Sequence, residues 1–108
     1  MASEVLKVSH SVVTDSEVVL INGVDGHTYT VLNITICETA GAAETIDLFI
    51  QDDGGADDYE ILSDQAVGAN ETFEHTGRIV LEATDMLGFI TGGSADVDVV
   101  VSYLDQTL

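Results

Sequence analysis

Short runs of alternating apolar and polar residues, each closed by Gly, Asn or Asp, recur along the whole chain, and no segment carries the spacing of an amphipathic helix. The clearest runs lie in the last third. Ile79-Val80-Leu81-Glu82 and Asp98-Val99-Val100-Val101-Ser102-Tyr103-Leu104 are rich in β-branched residues, and residues 83–91 (ATDMLGFIT) lie between them, ahead of a Gly92-Gly93-Ser94 break. This pattern predicts two or three antiparallel strands with tight connections. In Asp96-Val97-Asp98-Val99 the alternation is strict, so carboxylates face one side and valines the other.

From the start, residues 1–11 (MASEVLKVSHS) alternate weakly at Val5 and Val8 and read as a terminal arm or an edge strand, open to exchange with a neighbour. Val12-Val13 and Val18-Val19-Leu20-Ile21 are strand material around an Asp15-Ser16 turn, and Asn22-Gly23 and Asp25-Gly26 predict a reversal. Residues 28–37 (TYTVLNITIC) are the longest strand candidate, with Leu32, Ile34 and Ile36 on one face and Tyr29, Val31, Asn33 and Thr35 on the other. Residues 38–44 are too short to nucleate a helix and read as a loop. Ile46, Leu48 and Ile50 alternate inward in the next strand. An acidic turn over 52–58 leads to a strand at 59–62, a loop at 65–70 and a short polar strand at 71–75.

Seven to nine short strands with turn signals every eight to twelve residues predict an all-β fold, an antiparallel β-sandwich of jelly-roll or immunoglobulin-like type. Its expected organisation is an N-terminal arm or edge strand (1–11) and a single domain (12–108), since 108 residues allow one modest core. The chain has no proline, so Gly, Asn and Asp must carry the turns.

Charge changes the picture more than any motif. Twenty Asp and Glu oppose only Lys7 and Arg78, a net charge of -18. By mass scaling, an 11.4 kDa globule exposes about 5,800 Å², or one net negative charge per about 320 Å². Neighbouring charges then sit about 18 Å apart, within the ~30 Å screening length of 0.01 M salt and far outside the ~3 Å length of 1 M salt. Self-repulsion strains the compact state in dilute buffer and nearly vanishes in brine. Adaptation to molar salt, a nucleic-acid mimic and a metal-binding surface all fit such a balance. Extreme lysine depletion in an otherwise ordinary β chain favours the first, and carboxylates spread over most connections disfavour a mimic's stripe. Two cations cannot neutralise a phosphate track, which excludes direct nucleic-acid binding. A hydrophobic fraction of 45% excludes a disordered acidic tail. No apolar run approaches the roughly 18 residues of a membrane-spanning helix. The opening Met1-Ala2-Ser3-Glu4 has no basic or apolar leader region, so no signal peptide is expected.

Candidate chemistry is sparse. Asp52, Asp53, Asp57 and Asp58 in a Gly-containing turn are hard oxygen ligands suited to Ca²⁺, although their spacing departs from an EF-hand loop. Ca²⁺ here, or monovalent cations, are the cofactors the residues admit, and a solvated hairpin tip is the plainer reading. His10, His27 and His75 lack metal-ligand spacing and read as surface residues, and Cys37 reads as a small buried hydrophobe. No nucleophile elbow or phosphate-binding glycine run occurs, and Asp96/Asp98 share a face without implying glycoside chemistry. The chain does not read as an enzyme. Lys7 and Arg78 are each expected to meet a carboxylate, on the surface or across a subunit interface.

Several segments in order resemble a family. Leu32-Asn33-Ile34-Thr35-Ile36-Cys37-Glu38 is followed by Thr45-Ile46-Asp47-Leu48-Phe49-Ile50 and by Ala66-Val67-Gly68-Ala69-Asn70-Glu71-Thr72. Arg78-Ile79-Val80-Leu81-Glu82-Ala83-Thr84-Asp85-Met86-Leu87 and Val99-Val100-Val101-Ser102-Tyr103-Leu104 complete the series. Over residues 26–104 this resembles the small β-sandwich virion proteins of tailed phages. The chain departs from their pattern in lacking a proline ahead of Gly68 and in carrying Thr84 where glycine is typical. The resemblance implies a structural protein found in the virion. With the acidic composition it implies a capsid decoration or turret subunit of a tailed virus infecting a halophile, with a neck or tail adaptor as the next reading. A host-surface carbohydrate-binding module and an acidic DNA-mimic inhibitor are the alternatives from other classes; few aromatics serve the first. The implied partners are copies of itself, as a trimer or ring, and other virion proteins such as the major capsid protein. Contacts between copies are expected to be apolar and strand-mediated, from Val5, Val8, Val12 and Val13 at one end and Tyr103 and Leu104 at the other, because burying unpaired carboxylates is costly. Val12→Asp is then expected to abolish assembly, read by light scattering, while circular dichroism still reports a folded monomer. Retained assembly would remove the arm from the interface.

Overall fold

The computed structural model describes residues 3–52, 57–93 and 96–107. Nine strands make up the described residues: β1 (Ser3–Val13), β2 (Val18–Asn22), β3 (His27–Glu38), β4 (Glu44–Gln51), β5 (Asp58–Val67), β6 (Thr72–His75), β7 (Ile79–Glu82), β8 (Met86–Thr91) and β9 (Val97–Thr107). One sheet has the order β1-β9-β3-β6, with β7 also pairing to β3, and the other β2-β8-β4-β5. Every pairing is antiparallel. β1 with β9, β2 with β8, β3 with β6 and β7, and β4 with β5 are the rungs of one long hairpin, rolled so that β9 also meets β3 and β8 meets β4. That is the jelly-roll form of the expected sandwich.

The last third forms three strands, as expected, and the rolled path distributes them over both sheets. β7 and β9 lie in the five-stranded sheet and β8 in the other, so the chain changes sheets after β7 and again after β8. Ser94 lies outside the described residues. The turn after β7 places Ala83 in the left-handed region, φ 51°, where Thr84 and not glycine follows it.

The core fills the space between the sheets with Leu20, Ile34, Ile46, Leu48, Leu87, Phe89, Val97, Val99 and Val101 among others. Period-two alternation holds along β9, where Val97, Val99 and Val101 point inward. It breaks in β3. Tyr29 and Val31 are buried, and so are Ile34 and Ile36, because the register with β9 shifts between Val31 and Asn33. An extra residue at a bulge moves every later side chain to the other face. The expected two-face division of residues 28–37 therefore fails at Leu32, and Tyr29 and Val31 join the isoleucines in the core. A second shift, between Val19 and Ile21, lets Leu20 and Ile21 both be buried.

The expected loop at 65–70 is also shorter than predicted. β5 continues to Val67 through a kink where Asp64 adopts φ 49° and its N–H donates to Asp47 Oδ1 at 2.6 Å. Residues 3–11 are continuous with Val12 and Val13 in β1 and pair in register with β9 throughout.

Gly88 pairs with Phe49 on the face of the four-stranded sheet turned away from the core. The Phe49 ring covers it so closely that a Cβ at position 88 would overlap the ring carbons, and Phe49 itself is buried. Gly88→Ala is expected to destabilise the fold by about 1–3 kcal/mol, the range for overpacking a filled site. Urea denaturation measures it; an unchanged midpoint would mean that the ring does not rest on this glycine.

Candidate assembly surface

Twenty carboxylates must go somewhere, and among the described residues two of them are buried, Glu38 and Asp105. Each is fully supplied with donors. Glu38 ends β3 and turns inward beneath two loops. Its Oε2 accepts from the N–H of Ala40 (2.8 Å), and its Oε1 from Gly41 (2.9 Å), Ala42 (3.1 Å) and Asn70 (3.0 Å). The Asn70 amide above all, with those of Ala40, Ala42 and Gly41, holds this carboxyl below its ordinary value against the opposing effect of burial.

Asp105, near the end of β9, takes Lys7 Nζ at 2.7 Å on one oxygen and lies 2.7 Å from His27 Nδ1 with the other. The hydrogen bond from Lys7, then that from His27, lowers its pKa, and the same carboxylate raises that of Lys7. The His27 ring stacks on Tyr29, 5.8 Å between centroids, and Tyr29 meets Tyr103 at 6.0 Å. The Tyr29 hydroxyl accepts from the Val24 N–H at 3.1 Å. Lys7 thus meets its expected carboxylate within the chain, where it ties β1 to β9. His27 is half-buried and paired, which corrects its reading as a plain surface residue. Arg78 is exposed and makes no ion pair among the described residues.

The other acids lie outward, unevenly. On the outer side of the four-stranded sheet Asp47, Asp58 and Asp64 surround Glu60, and burial followed by their charges raises its pKa. The outer side of the five-stranded sheet is different. Leu6, Leu104, Thr30 and Val80 stand in register across β1, β9, β3 and β7, and Val8, Ser102 and Asn33 form the adjacent row. Neither row holds a carboxylate. Leu6 is 73% exposed, Val8 60%, Val12 63% and Val80 55%. Together they expose on the order of 400 Å² of apolar surface, about the size of the largest patch on a typical monomer, which is often a functional one.

The six residues expected at a subunit contact do not share one surface. Val8, Val12 and Leu104 lie on the outer face, with Val5 on the opposite side of β1. Val13 is buried in the core, and Tyr103 packs against it. Cys37 is only half-buried and stands on the outer face in register with Asp98, so it is not the core hydrophobe expected. In the acidic turn, the Asp57 N–H donates to Asp52 Oδ1 at 3.2 Å; Asp53 lies outside the described residues. No group of three or more His, Cys, Asp or Glu side chains converges as a metal site among the described residues. The outer-face rows were hidden from sequence reading because they depend on the strand register and the β3 bulge. Glu38 was hidden because its partners are backbone amides.

No protein-family model and no characterised protein sequence matches the chain. Solved structures do share its fold. A subunit of Bacillus endospore appendages, a family of disulfide-linked pili, superposes with TM-score 0.60 at 8% identity, over 99% of this chain and 88% of that one. The capsid of Helicobacter pylori bacteriophage KHP30 gives 0.56 at 9% identity, over 100% and 94%. The Drosophila NLP-core, described for pentamer formation and histone binding, gives 0.55 at 13% identity, over 89% and 96%. This sandwich is therefore one found in capsid and pilus subunits.

Glu38 and Asp105 both titrate below their ordinary values of 4.5 and 3.8. Their stabilisation is complete above those values and is lost as pH falls through the lowered ones. Glu38→Gln and Asp105→Asn are each expected to lower the melting temperature at pH 7 by at least about 5 °C. The gap to the unsubstituted protein should close as the pH drops below about 4. A gap constant with pH, measured by calorimetry, would show that neither carboxylate is held ionised by the fold.

Proposed function

We propose that this chain is a structural virion protein whose work is assembly, as a capsid decoration or turret subunit of a tailed virus that infects a halophile. The observation that carries the reading is the correspondence, over the whole length of this chain, with a phage capsid chain of similar size. Its support comes from the two carboxylate-free rows on the outer face of the five-stranded sheet, in a chain of net charge -18. Assembly needs complementary edges and faces rather than reactive groups. Copies closing into a trimer or ring, and seated on other virion proteins such as the major capsid protein, would use such a surface. A neck or tail component is the second position on the particle. Brine is the setting in which 20 carboxylates and two cations leave the compact state least strained, since molar salt shrinks the range of repulsion to about 3 Å.

The test is solution mass by light scattering, with circular dichroism, from about 0.1 M to about 3 M salt, a range over which screening becomes nearly complete. A discrete oligomer that forms and gains structure at high salt is expected. A monomer folded equally well at both ends would overturn salt adaptation and leave no self-assembly to explain.

A further inference from the structure

The five-stranded sheet ends at β1 on one side and at β6 and β7 on the other; the four-stranded sheet ends at β2 and β5. Edge strands offer unpaired backbone groups to other chains, and proteins blunt them by shortness, bulges or charge. Three of these edges are blunted. β2 has five residues, and β6 and β7 have four each. β5 is longer but carries Asp58, Glu60 and Asp64 and is irregular against β4. β1 is the exception. Its eleven residues pair with β9 without a register shift, it contains no proline, and Glu4 is its single carboxylate. Lys7, the residue best suited to guard an edge, is turned onto Asp105. The outer side of β1 presents Leu6 and Val8, which belong to the two carboxylate-free rows of the sheet, and Val12, which stands beside Asp98.

We infer that β1 pairs antiparallel with β1 of a second copy across a two-fold axis, joining two five-stranded sheets into one. The inference rests on the assembly reading above and names the contact. A second copy fits because the strand complements itself. With the axis at Ser9, Leu6 of each copy faces Val12 of the other, Val8 faces His10 and Lys7 faces Ser11. Leu6 and Val12 make an apolar pair twice over, and no like charges stand opposite. An axis at Lys7 would set two ammonium groups together. Charge selects the same contact: two chains of -18 can approach closely only where both lack carboxylates. The pairing is isologous, so it adds a two-fold axis to any ring or trimer, and the complete assembly holds an even number of chains.

The experiment places single cysteines in a Cys37→Ser background and oxidises the protein in about 3 M salt, where repulsion is screened. Ser9→Cys is expected to cross-link two copies in high yield, and Val80→Cys, on the same sheet but far from the edge, is not. Leu6→Glu is expected to weaken association about tenfold with an unchanged circular dichroism spectrum, since Leu6 is largely exposed. Cross-linking through Val80 with none through Ser9 would overturn β1 pairing in favour of face-to-face packing. So would an oligomer with an odd number of chains, or one indifferent to Leu6→Glu; in each case the assembly reading survives. A monomer at every salt concentration overturns both.

Discussion

Two-sided pairing of β9 is the constraint on which the rest of the molecule depends. Eleven residues of β1 pair along one side of it and eleven of β3 along the other, while its inward valines form the middle of the core. Near its far end the strand runs past the apolar core, and its inward position there is Asp105. A carboxylate in that place is tolerable only with donors on both oxygens, because an unpaired buried charge costs several kcal/mol. The donors come from β1 and from β3, through Lys7 and His27. The same three strands that share backbone hydrogen bonds thus share one polar clip, and the single lysine of the chain is committed to it.

Glu38 solves the same problem at the opposite end of β3 by other means. Its donors are not cations but the backbone amides of residues 40–42 and 70. The arrangement ties the β3–β4 and β5–β6 connections together in a chain that has no proline to stiffen either. Acid pH removes both anchors through one mechanism, protonation of a carboxylate that the fold keeps ionised. Salt acts on a different part of the molecule, the outward acids such as those around Glu60, whose mutual repulsion reaches through solvent and is screened there. Acid sensitivity and salt dependence are therefore separable properties of one acidic chain.

Strand existence was legible because β-branched residues and Gly, Asn or Asp turns punctuate the chain at strand-length intervals. The all-β sandwich followed from that rhythm. Which face each residue takes was legible only where alternation is unbroken, as in β9. Bulges in β2 and β3 leave no mark in a period-two reading, since Leu32 and Leu20 look like ordinary members of an apolar run. The kink at Asp64 likewise hid the continuation of β5, because left-handed geometry at an aspartate is decided by the Asp47 carboxylate accepting its N–H. Sheet membership was out of reach for a related reason. Residues 79–91 read equally well as a hairpin or as two strands crossing between sheets, and the long-range partner decides. Of the assembly residues, exposure of Val8 and Val12 agrees with their outward place in β1, whereas Val13 differs only in lying one residue further along, where the strand enters the core.

That difference bears on how an acidic subunit can associate at all. Repulsion between copies grows with total charge, so a contact needs surface freed of carboxylates on both sides. Alternation makes such a surface cheap to encode in a strand: one face of β1 can be apolar while the other carries Lys7 inward to Asp105. Placing that strand at a sheet edge then joins a bare backbone to a bare side-chain face. The remaining edges are short or acidic, which is what protection from indiscriminate pairing requires. Leaving β1 regular, long and nearly free of carboxylates would be a liability for a monomer. In a subunit it would confine association to a single geometry, and the charge elsewhere would then work against wrong contacts rather than against the right one.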